Sequence, residues 1–535
     1  MTDVGKIAIG WVFKNILYIL SRSTYRTHPY CQYFQQTEIG TRHLTLQMVK
    51  NTGGNEGNGD PRDDVLKAIN GARTSGFHFK TWILAGMGFF TDAYDLFIIG
   101  VVLTILPLAG WRTLTTEETA LVASTALVAA VIGALLFGRL LDLLGRKAVY
   151  GLELVILVAG ALGSAFLTPI NGVYVLIAWR FLLGIGIGGD YSTSSTIMAE
   201  YSNTRKRGML VGMVFSMQSL GLAVGPLVTL GLIFGGLPPA LIWRLVLAFG
   251  AIPAALVIYG RRRMPETPKF TIGIKGNVKK ATSDLRKYTG IDVKADNDVA
   301  TSTVRMRWSK LFTDRKLALV LLGTAGTWFL MDWAFYGNSI MSSSMLSFLI
   351  PHSIVGMHHL ILSTEYSGLI FAVAALPGYW LATFTVDRIG RKPIQTIGFA
   401  MMAVSFGIIG FVPQLSSISF LSDFLLLYGL SYFFIEFGPN VTTFIYPPEV
   451  FPVSVRGLGT GASAAGGKTG AFVGTVANVI ILATIGEIFL MRLLSLLAVI
   501  GLVLTVLLLP EPKQRDMEEV SGESKYITEI SDVSK

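Results

Sequence analysis

Acidic and aromatic residues occur together in the middle of two long apolar stretches. In the first stretch, Asp190 and Tyr191 follow a glycine-rich run. In the second, Trp328, Asp332 and Tyr336 recur every four residues and therefore share one helix face. A packing stripe would explain the aromatic residues, but it needs no carboxylate between them. Because a charged side chain in a membrane span costs about 2.5–3.5 kcal/mol on insertion scales, these acids predict a functional site at membrane depth.

Two short motifs resemble nucleotide-binding sequences, but their surroundings exclude that interpretation. Gly184, Gly186 and Gly189 have the spacing of a dinucleotide fingerprint, which also requires a preceding strand. Here an apolar segment long enough to cross a bilayer precedes them, so they predict close packing of membrane helices. Lys468 lies in a near-match to a phosphate-binding loop, but Ala462 replaces its first glycine. A cation within a span needs an anionic partner, which is either a carboxylate or an anionic substrate.

The composition is that of a protein with many membrane spans. Of 535 residues, 52% are hydrophobic and 15% are charged, and the mean hydropathy is +0.57. The single cysteine, Cys31, excludes an internal disulfide framework and a cysteine-based metal cluster. The histidines fall outside the predicted apolar segments, and no nucleophile–base pair lies within those segments. We therefore expect no metal site, no cofactor and no enzymatic activity.

About twelve apolar segments are long enough to cross a bilayer. They are predicted at about 81–106, 120–141, 148–168, 173–199, 208–234, 240–260, 317–342, 364–386, 393–413, 420–446, 457–483 and 487–509. The predicted domains are a polar leader (1–79), an N-terminal six-helix bundle (80–260), a central loop (261–316), a C-terminal six-helix bundle (317–509) and a tail (510–535). We expect residues 51–64 to be a disordered tether and the charged tail to be mobile. Residues 7–20 are either a surface helix or part of a leader upstream of a start at Met48.

Lys and Arg residues lie almost entirely on one side of the predicted spans. The basic runs are Arg146-Lys147, Arg205-Lys206-Arg207, Arg261-Arg262-Arg263 and Arg391-Lys392. The short loops that contain neither residue, on the other side, are 168–172, 235–239, 343–363 and 412–419. The positive-inside rule therefore predicts a multi-pass protein of the cell membrane with both termini in the cytoplasm. This topology, with contact to the lipid bilayer, explains the net charge of +10, so no nucleic-acid partner is needed.

The two halves of the chain repeat one another. Charged residues at the ends of spans recur at an offset of about 245–249, namely Asp142, Arg146, Glu200 and Arg207, and then Asp387, Arg391, Glu449 and Arg456. Such a repeat predicts two six-helix bundles, a binding site between them near the bilayer midplane, and alternating access by rocking of one bundle against the other. The repeated charged residues are predicted to latch the bundles together on the cytoplasmic side in the outward-open state.

The loops 142–147 and 387–392 resemble the signature loops of the major facilitator superfamily. The chain is similar in particular to the phosphate:proton symporter family of fungi and plants, in the stretches 89–97, 188–208, 327–337 and 438–468. The resemblance implies an all-α membrane protein with the major facilitator fold, in which about twelve spans form two pseudo-symmetric bundles. Lys replaces the second Arg of the signature and Gly467 replaces a Ser, whereas residues 1–47 have no recognised counterpart.

The resemblance also implies a phosphate site, lined by Tyr191, Gln218, Trp328, Asp332, Tyr336, Asn440 and Lys468. Phosphate offers several acceptor oxygens, so an ammonium, an indole N–H, phenols and amides are suitable donors. A carboxylate beside an anion is unfavourable until it is protonated, and a protonated Asp332 donates a hydrogen bond to phosphate. Asp332 is therefore predicted to couple proton binding to substrate binding, as symport requires.

Further acidic residues in the first and fourth spans are candidates for proton coupling. Asp92 and Asp95 share a helix face, and Asp190 faces the same bundle. We predict that Asp92 and Asp190 relay protons and that Asp95 assists. The alternative is structural pairing of these acids with Arg180 or Lys468.

The expected function is proton-coupled import of inorganic phosphate across the cell membrane. A sugar or organic-anion symporter of the same superfamily is the first alternative, because Arg180 and the segment 265–268 are sugar-porter-like. A nutrient-sensing receptor on a transporter scaffold is the second, although the tail is short for a signalling extension. Glu153 and Glu436 have no predicted partner or role.

Overall fold

The computed structural model describes residues 60–289, 301–339, 353–416 and 421–528. Within this part of the chain, twelve helices are long and apolar enough to cross a membrane. We number them as spans 1 to 12, and their bounds are Gly76–Ile105, Thr116–Leu144, Arg146–Phe166, Val173–Tyr201, Arg207–Phe234, Pro239–Arg262, Arg315–Ser339, Met357–Ile389, Arg391–Phe411, Ser422–Val450, Arg456–Thr484 and Glu487–Leu508. The predicted all-α membrane architecture is therefore confirmed.

Two spans begin well before their predicted start. Span 1 begins five residues earlier, at Gly76, and span 8 begins seven residues earlier, at Met357. The added turns contain His78, His358 and His359, so the prediction that histidines lie outside the spans is wrong for these three. Polar residues at the end of a span do not contribute to an apolar pattern, although the backbone there still satisfies its hydrogen bonds as a helix.

Two equivalent glycines form the tight turns between neighbouring spans. Gly145 (φ 94°) separates spans 2 and 3, and Gly390 (φ 114°) separates spans 8 and 9, in a backbone region that favours glycine. In each case the next helix begins at once, and its first N–H groups need acceptors. Glu266 accepts from the first N–H of span 3 at 3.0 Å, and Glu511 accepts from the first N–H of span 9 at 3.1 Å. Pro265-Glu266 follows span 6 and Pro510-Glu511 follows span 12, so these two equivalent pairs cap equivalent helices.

Small residues let the spans approach closely, as the glycine runs predict. A Cβ atom at Gly188 of span 4 would lie 2.0 Å from the carbonyl oxygen of Ala130 in span 2. One at Gly461 of span 11 would lie 2.2 Å from the carbonyl oxygen of Ala134, also in span 2. Span 2 therefore packs against span 4 of its own bundle and against span 11 of the other bundle. Spans 5 and 8 make the equivalent contact between bundles.

The helix before span 1, the central loop and the tail gather at the ends of the spans that carry the basic runs, which we call the basic face. Their helices are Pro61–Gly71, Pro268–Lys275, Val278–Thr289, Lys310–Thr313 and Met517–Ser521. Strand β1 (Thr303–Val304) pairs antiparallel with strand β2 (Ile527–Thr528), which joins the central loop to the tail.

The prediction of a mobile tail is wrong for its described part, which ends at residue 528. Glu523 is buried and lies 2.6 Å from Arg62, while Glu518 lies 2.8 Å from Lys269. Burial opposes ionisation of Glu518, but Lys269 outweighs it and the pKa of Glu518 falls to about 2. A charged sequence suggests a solvated tail, whereas these charges have partners far away in the chain, which composition cannot show.

The prediction of a disordered tether is also wrong where it can be compared with the structure. Residues 60–64 begin the helix Pro61–Gly71, and Asp60 caps that helix by accepting from Arg62 N at 3.0 Å. Pro61 at the first helical position needs no hydrogen-bond acceptor, so the start is well suited to a helix. The predictions for residues 7–20, Met48 and residues 51–59 lie outside the described residues.

The contact of Glu523 predicts a measurable role of the tail in stability. Glu523 accepts from Arg62 at 2.6 Å and from Val453 N at 3.0 Å. Because removal of one partner leaves a buried charge without compensation, we expect Glu523→Gln to destabilise the fold by about 3–5 kcal/mol. The measurement is the thermal unfolding midpoint of the purified protein in detergent.

The matched control is Glu519→Gln, in a solvent-exposed pair with Arg515 at 2.5 Å. We expect a cost below about 1 kcal/mol for this surface pair. Equal unfolding midpoints for the two variants would contradict the structural role of Glu523.

Candidate functional site

Lys468 of span 11 is fully buried at the junction of the two bundles. Its Nζ atom lies 3.1 Å from Asp332 Oδ2 and donates to Tyr336 OH at 2.7 Å, both in span 7. The same atom lies 4.2 Å from the ring centroid of Tyr191 in span 4 and 4.1 Å from that of Tyr336. The ammonium therefore contacts one carboxylate and the faces of two phenol rings. The carboxylate that the sequence leaves open as a partner of Lys468 is Asp332.

A chain of hydrogen bonds extends from this ammonium through both bundles. The hydroxyl groups of Tyr191 and Tyr336 lie 3.1 Å apart. Gln218 of span 5 donates through Nε2 to Tyr191 OH at 2.6 Å, and its Oε1 accepts from Tyr379 OH of span 8 at 3.2 Å. Asn440 Nδ2 of span 10 donates to Tyr379 OH at 2.8 Å. The structure thus joins predicted residues from spans 4, 5, 7, 10 and 11 in one polar cluster.

Aromatic rings surround one side of this polar cluster. The Trp328 ring lies 5.9 Å from that of Tyr191 and 6.4 Å from that of Phe444. Phe444 stacks on Phe215 at 4.5 Å, and Phe89 lies 4.8 Å from Phe444. Apolar walls of this kind exclude water and strengthen the electrostatic interactions that they enclose. Trp328, the remaining residue of the predicted substrate set, therefore lies at the boundary between the aromatic wall and the polar cluster.

Sequence reasoning missed several residues that complete the site. Phe97 of span 1 stacks on Tyr336 with ring centroids 5.0 Å apart. It is the last residue of the family-like stretch 89–97, so the sequence could have identified it as a candidate site residue. Tyr379 connects Gln218 to Asn440, but it stands in span 8 without an acidic or basic neighbour to mark it.

Asp190 belongs to a buried ion cluster within the first bundle. Its carboxylate accepts from Arg261 Nη1 at 2.6 Å and Nη2 at 3.0 Å, and from Ser194 Oγ at 2.5 Å. Arg261 also donates to Glu153 at 2.8 Å. One guanidinium therefore holds two carboxylates, which gives Glu153 the partner that the sequence does not show.

Pairing of Asp190 with Arg180 or Lys468, the alternative left by the sequence, is wrong. Arg261 was interpreted as part of a basic run beyond span 6, but that span extends to Arg262. The guanidinium of Arg261 therefore lies within the helical bundle and is fully buried. Arg180 instead donates to the backbone carbonyl oxygens of Val122 at 3.0 Å and of Asp95 at 3.4 Å.

Asp92 and Asp95 are fully buried in span 1 and differ in their surroundings. Neither carboxylate oxygen of Asp92 has a hydrogen-bond partner in the described part of the chain, and Asp95 Oδ2 has none there either. A Cβ atom at Gly88, one turn before Asp92, would lie 1.9 Å from Asp190 Oδ2. Asp190 therefore lies against the face of span 1 that carries Asp92, whereas Asp95 lies beside Arg180.

At the basic face, Glu200 of span 4 binds arginines from both bundles. It accepts from Arg146 of its own bundle at 2.8 Å and from Arg456 of the other bundle at 2.9 Å. Thr267 of the central loop adds a hydrogen bond at 2.5 Å. All of these charged side chains are buried.

Glu449 of span 10 repeats this arrangement in the second bundle. It accepts from Arg391 of its own bundle and from Arg207 of the first bundle, each at 2.7 Å. Asp142 and Asp387 each bind the start of a helix in the opposite bundle. Asp142 accepts from Gly457 N at 2.9 Å, and Asp387 accepts from Gly208 N at 3.0 Å. The structure therefore joins the predicted latch residues into two related clusters that cross the bundle interface.

No group of three or more His, Cys, Asp or Glu residues has the arrangement of a metal site within the described ranges. The polar cluster around Lys468 instead has the chemistry of a site for a small anion, with an ammonium, phenols, an indole and amides converging from both bundles.

Comparisons with known proteins agree with this fold. The family model described as "Sugar (and other) transporter" matches residues 81–523. "Inorganic phosphate transporter 1-1" of Arabidopsis thaliana is 38% identical over 517 residues, which cover 86% of this chain and 98% of that protein. "Repressible high-affinity phosphate permease" of Neurospora crassa is 35% identical over 514 residues, which cover 86% of this chain and 89% of that protein.

A solved structure shows the same fold at lower sequence similarity. The major facilitator superfamily proton:xylose symporter XylE, bound to 6-bromo-6-deoxy-D-glucose, superimposes with a TM-score of 0.70 at 20% identity. The match covers 85% of this chain and 100% of that structure. The chain therefore belongs to the sugar (and other) transporter family of the major facilitator superfamily, among the inorganic phosphate transporters that it resembles in sequence, and it is a transporter and not an enzyme.

Proposed function

We propose that this protein imports inorganic phosphate together with protons across the cell membrane by alternating access. The observation that carries the proposal is the buried Lys468 ammonium, which faces Tyr191 and Tyr336 where the two bundles meet. The names of the phosphate transporters of Arabidopsis thaliana and Neurospora crassa support the same substrate.

Asp332 is the residue through which we expect this site to take up a proton together with its substrate. Its carboxylate lies 3.1 Å from the Lys468 ammonium, so an arriving phosphate is a second anion for the same cation. Like charges at this distance repel strongly in a water-poor site, and protonation of the carboxylate removes the repulsion. Protonated Asp332 then donates to a phosphate oxygen, while Lys468 is free to bind the anion. Phosphate binding and proton binding thereby favour each other.

The first bundle supplies the proposed proton relay. Asp92 has no hydrogen-bond partner for its carboxylate in the described part of the chain, so it can accept a proton without breaking an ion pair. Asp190 is held by Arg261 and must leave that pair before it takes the proton. Glu153 is bound by the same guanidinium and competes for it, which eases the exchange. We assign Asp95 an assisting role beside Arg180.

The orientation follows from the charge pattern. We place the basic face in the cytoplasm, together with both ends of the described chain. The latch then closes the cytoplasmic side in this structure, and separation of the bundles on that side would expose the site to the cytoplasm. A sugar substrate is less suited to the cluster, because a neutral ligand cannot replace the Asp332 carboxylate as the partner of the Lys468 ammonium.

The first test is radiolabelled phosphate uptake into proteoliposomes. We expect an inward gradient of one pH unit to accelerate uptake by up to about tenfold for each coupled proton, since one pH unit corresponds to about 1.4 kcal/mol per proton. Equal uptake with and without the gradient would contradict symport. Uptake of glucose with no uptake of phosphate would contradict the substrate assignment.

The second test removes the ammonium. We expect Lys468→Gln to raise the KM for phosphate by at least about tenfold, because a hydrogen bond to a charged group contributes about 1.5–3 kcal/mol. Lys279→Gln, at an exposed lysine of the central loop, is the control and should leave the KM unchanged.

Loss of Lys468 also leaves Asp332 without its cation, so the variant can fail to fold for that reason. The double variant Lys468→Gln/Asp332→Asn removes both charges of the pair and should recover the unfolding midpoint without recovering phosphate affinity. Normal affinity in either variant would show that Lys468 is only a structural partner of Asp332.

The third test concerns the latch. We expect Glu449→Gln to open the cytoplasmic side more often, because loss of one partner from a buried ion pair costs the closed state about 3–5 kcal/mol. Ser216 bonds to Thr383 across the bundle interface at 2.7 Å, so Ser216→Cys in a Cys31→Ser background reports opening by thiol labelling.

The labelling rate should rise by at least about tenfold in the Glu449 variant, a bound set by the cost of the lost ion pair. The control is Glu117→Gln, at an exposed position in the first turn of span 2 on the opposite face. Unchanged labelling in the Glu449 variant would mean that the latch does not determine closure.

A further inference from the structure

Glu436 is a fully buried carboxylate that the transport mechanism described above does not use. It begins a π-helical turn, Glu436–Asn440, in span 10, where Gly438 departs from helical geometry (φ −108°, ψ −111°). Its Oε2 atom accepts from Asn440 Nδ2 at 2.5 Å. Its Oε1 atom is buried and has no hydrogen-bond partner in the part of the chain that the structure describes. A π-helical turn inside a span is frequently a functional site.

The position of Glu436 connects it to the substrate site. The amide nitrogen that donates to Glu436 also donates to Tyr379 OH at 2.8 Å. Tyr379 in turn donates to Gln218, which donates to Tyr191 beside Lys468. Glu436 is therefore one end of the hydrogen-bonded chain that leads to the ammonium.

Among the residues that the structure describes, the groups that face Glu436 include no cation. Tyr379 of span 8, Tyr432 of span 10 and Asp332 of span 7 are the titratable groups that interact with it. Asp190 and Asp332 differ in this respect, since Asp190 has Arg261 and Asp332 has Lys468. No Lys or Arg lies at ion-pair distance from Glu436 among the described residues. An ionised carboxylate without such compensation is costly in a membrane protein, and proton binding removes that cost.

We propose that Glu436 is a further proton-coupling residue, and that it acts on the substrate site by setting the orientation of the Asn440 amide. The ionised carboxylate accepts from Asn440 Nδ2. The protonated carboxyl group carries an O–H donor and binds the Asn440 amide through Oδ1 instead, so the amide turns and exchanges the positions of Nδ2 and Oδ1. Tyr379 OH then no longer accepts a hydrogen bond from Asn440 Nδ2, and its own O–H is free to rotate. The proton on Glu436 thus changes which donors the chain from Tyr379 to Tyr191 offers to an anion.

This inference rests on the proposed proton-coupled transport of phosphate and adds a second carboxyl group in the C-terminal bundle to Asp332. It differs from a purely structural role in one measurable respect. Glutamine has nearly the same size as glutamate and its Oε1 accepts from Asn440 Nδ2, so Glu436→Gln keeps the structural hydrogen bond and removes the titratable group.

The test compares the parent protein, Glu436→Gln and Glu436→Asp in proteoliposomes. The readouts are the proton-to-phosphate ratio, from the reversal potential of transport, and the pH profile of the KM for inorganic phosphate. We expect Glu436→Gln to carry one proton fewer per phosphate and to lose one titration step from the pH profile. Glu436→Asp keeps a titratable group and should keep the parent ratio, with a shifted pH midpoint.

The control is Glu487→Gln, at a partly buried carboxylate at the start of span 12, which should leave ratio and profile unchanged. A Glu436→Gln variant with the parent ratio and the parent profile would overturn the inference. If that variant does not fold, Glu436→Asp decides, because a pH midpoint identical to that of the parent would equally overturn it. Failure of the parent protein to couple phosphate to protons would instead overturn the proposed function.

Discussion

An ammonium buried between two helical bundles must be compensated, and this requirement shapes the centre of the molecule. Lys468 meets it with one carboxylate, Asp332, and with two phenol rings. Desolvation of two such charges is expensive, so the pair by itself contributes little net stability. In the proposed mechanism, the pair provides a cation whose partner can be exchanged. A substrate anion replaces the carboxylate once a proton neutralises it, and this exchange links ligand binding to proton binding.

The same requirement explains the charges at the basic face. Glu200 and Glu449 each bind one arginine of their own bundle and one of the other bundle. In the proposed transport cycle, separation of the bundles there leaves each glutamate with its internal partner and removes the external one. The closed state is favoured by these two equivalent interactions and by the contacts of Asp142 and Asp387 with the opposite bundle, while each glutamate keeps one arginine in the open state. Such an arrangement suits a transporter, which must populate both states.

Much of the architecture could be predicted from sequence because it depends on patterns of residue type. Span length and the bias of basic residues follow from short stretches of the chain, and the repeat of charged residues follows from a comparison of its two halves. The partner of Asp190 could not be predicted in this way. Arg261 belongs to a basic run whose obvious meaning is topology, and only the length of span 6 shows that its side chain lies within the bundle. Tyr379 was missed for a related reason, because its role depends on contacts with spans 5 and 10.

The tail and Glu436 also depend on contacts between distant parts of the chain, which sequence patterns do not reveal. A charged segment after the last span suggests solvation, yet Glu523 is buried against Arg62, which lies more than 400 residues earlier in the chain. Glu436 could be recognised in the sequence as an acid within a span, but its meaning depends on which groups face it. Contacts between distant parts of the chain therefore determine whether a buried acid forms a structural ion pair or can bind a proton.

The most direct test of the central claim is calorimetric titration of the purified protein with phosphate in two buffers that differ in ionisation enthalpy. The difference in heat gives the number of protons taken up on binding. Exchange of partners at Lys468 predicts net proton uptake by the parent protein, and a smaller uptake in the Asp332→Asn variant under the same conditions. Tight phosphate binding with no proton uptake, or with uptake that is unchanged in that variant, would contradict the account.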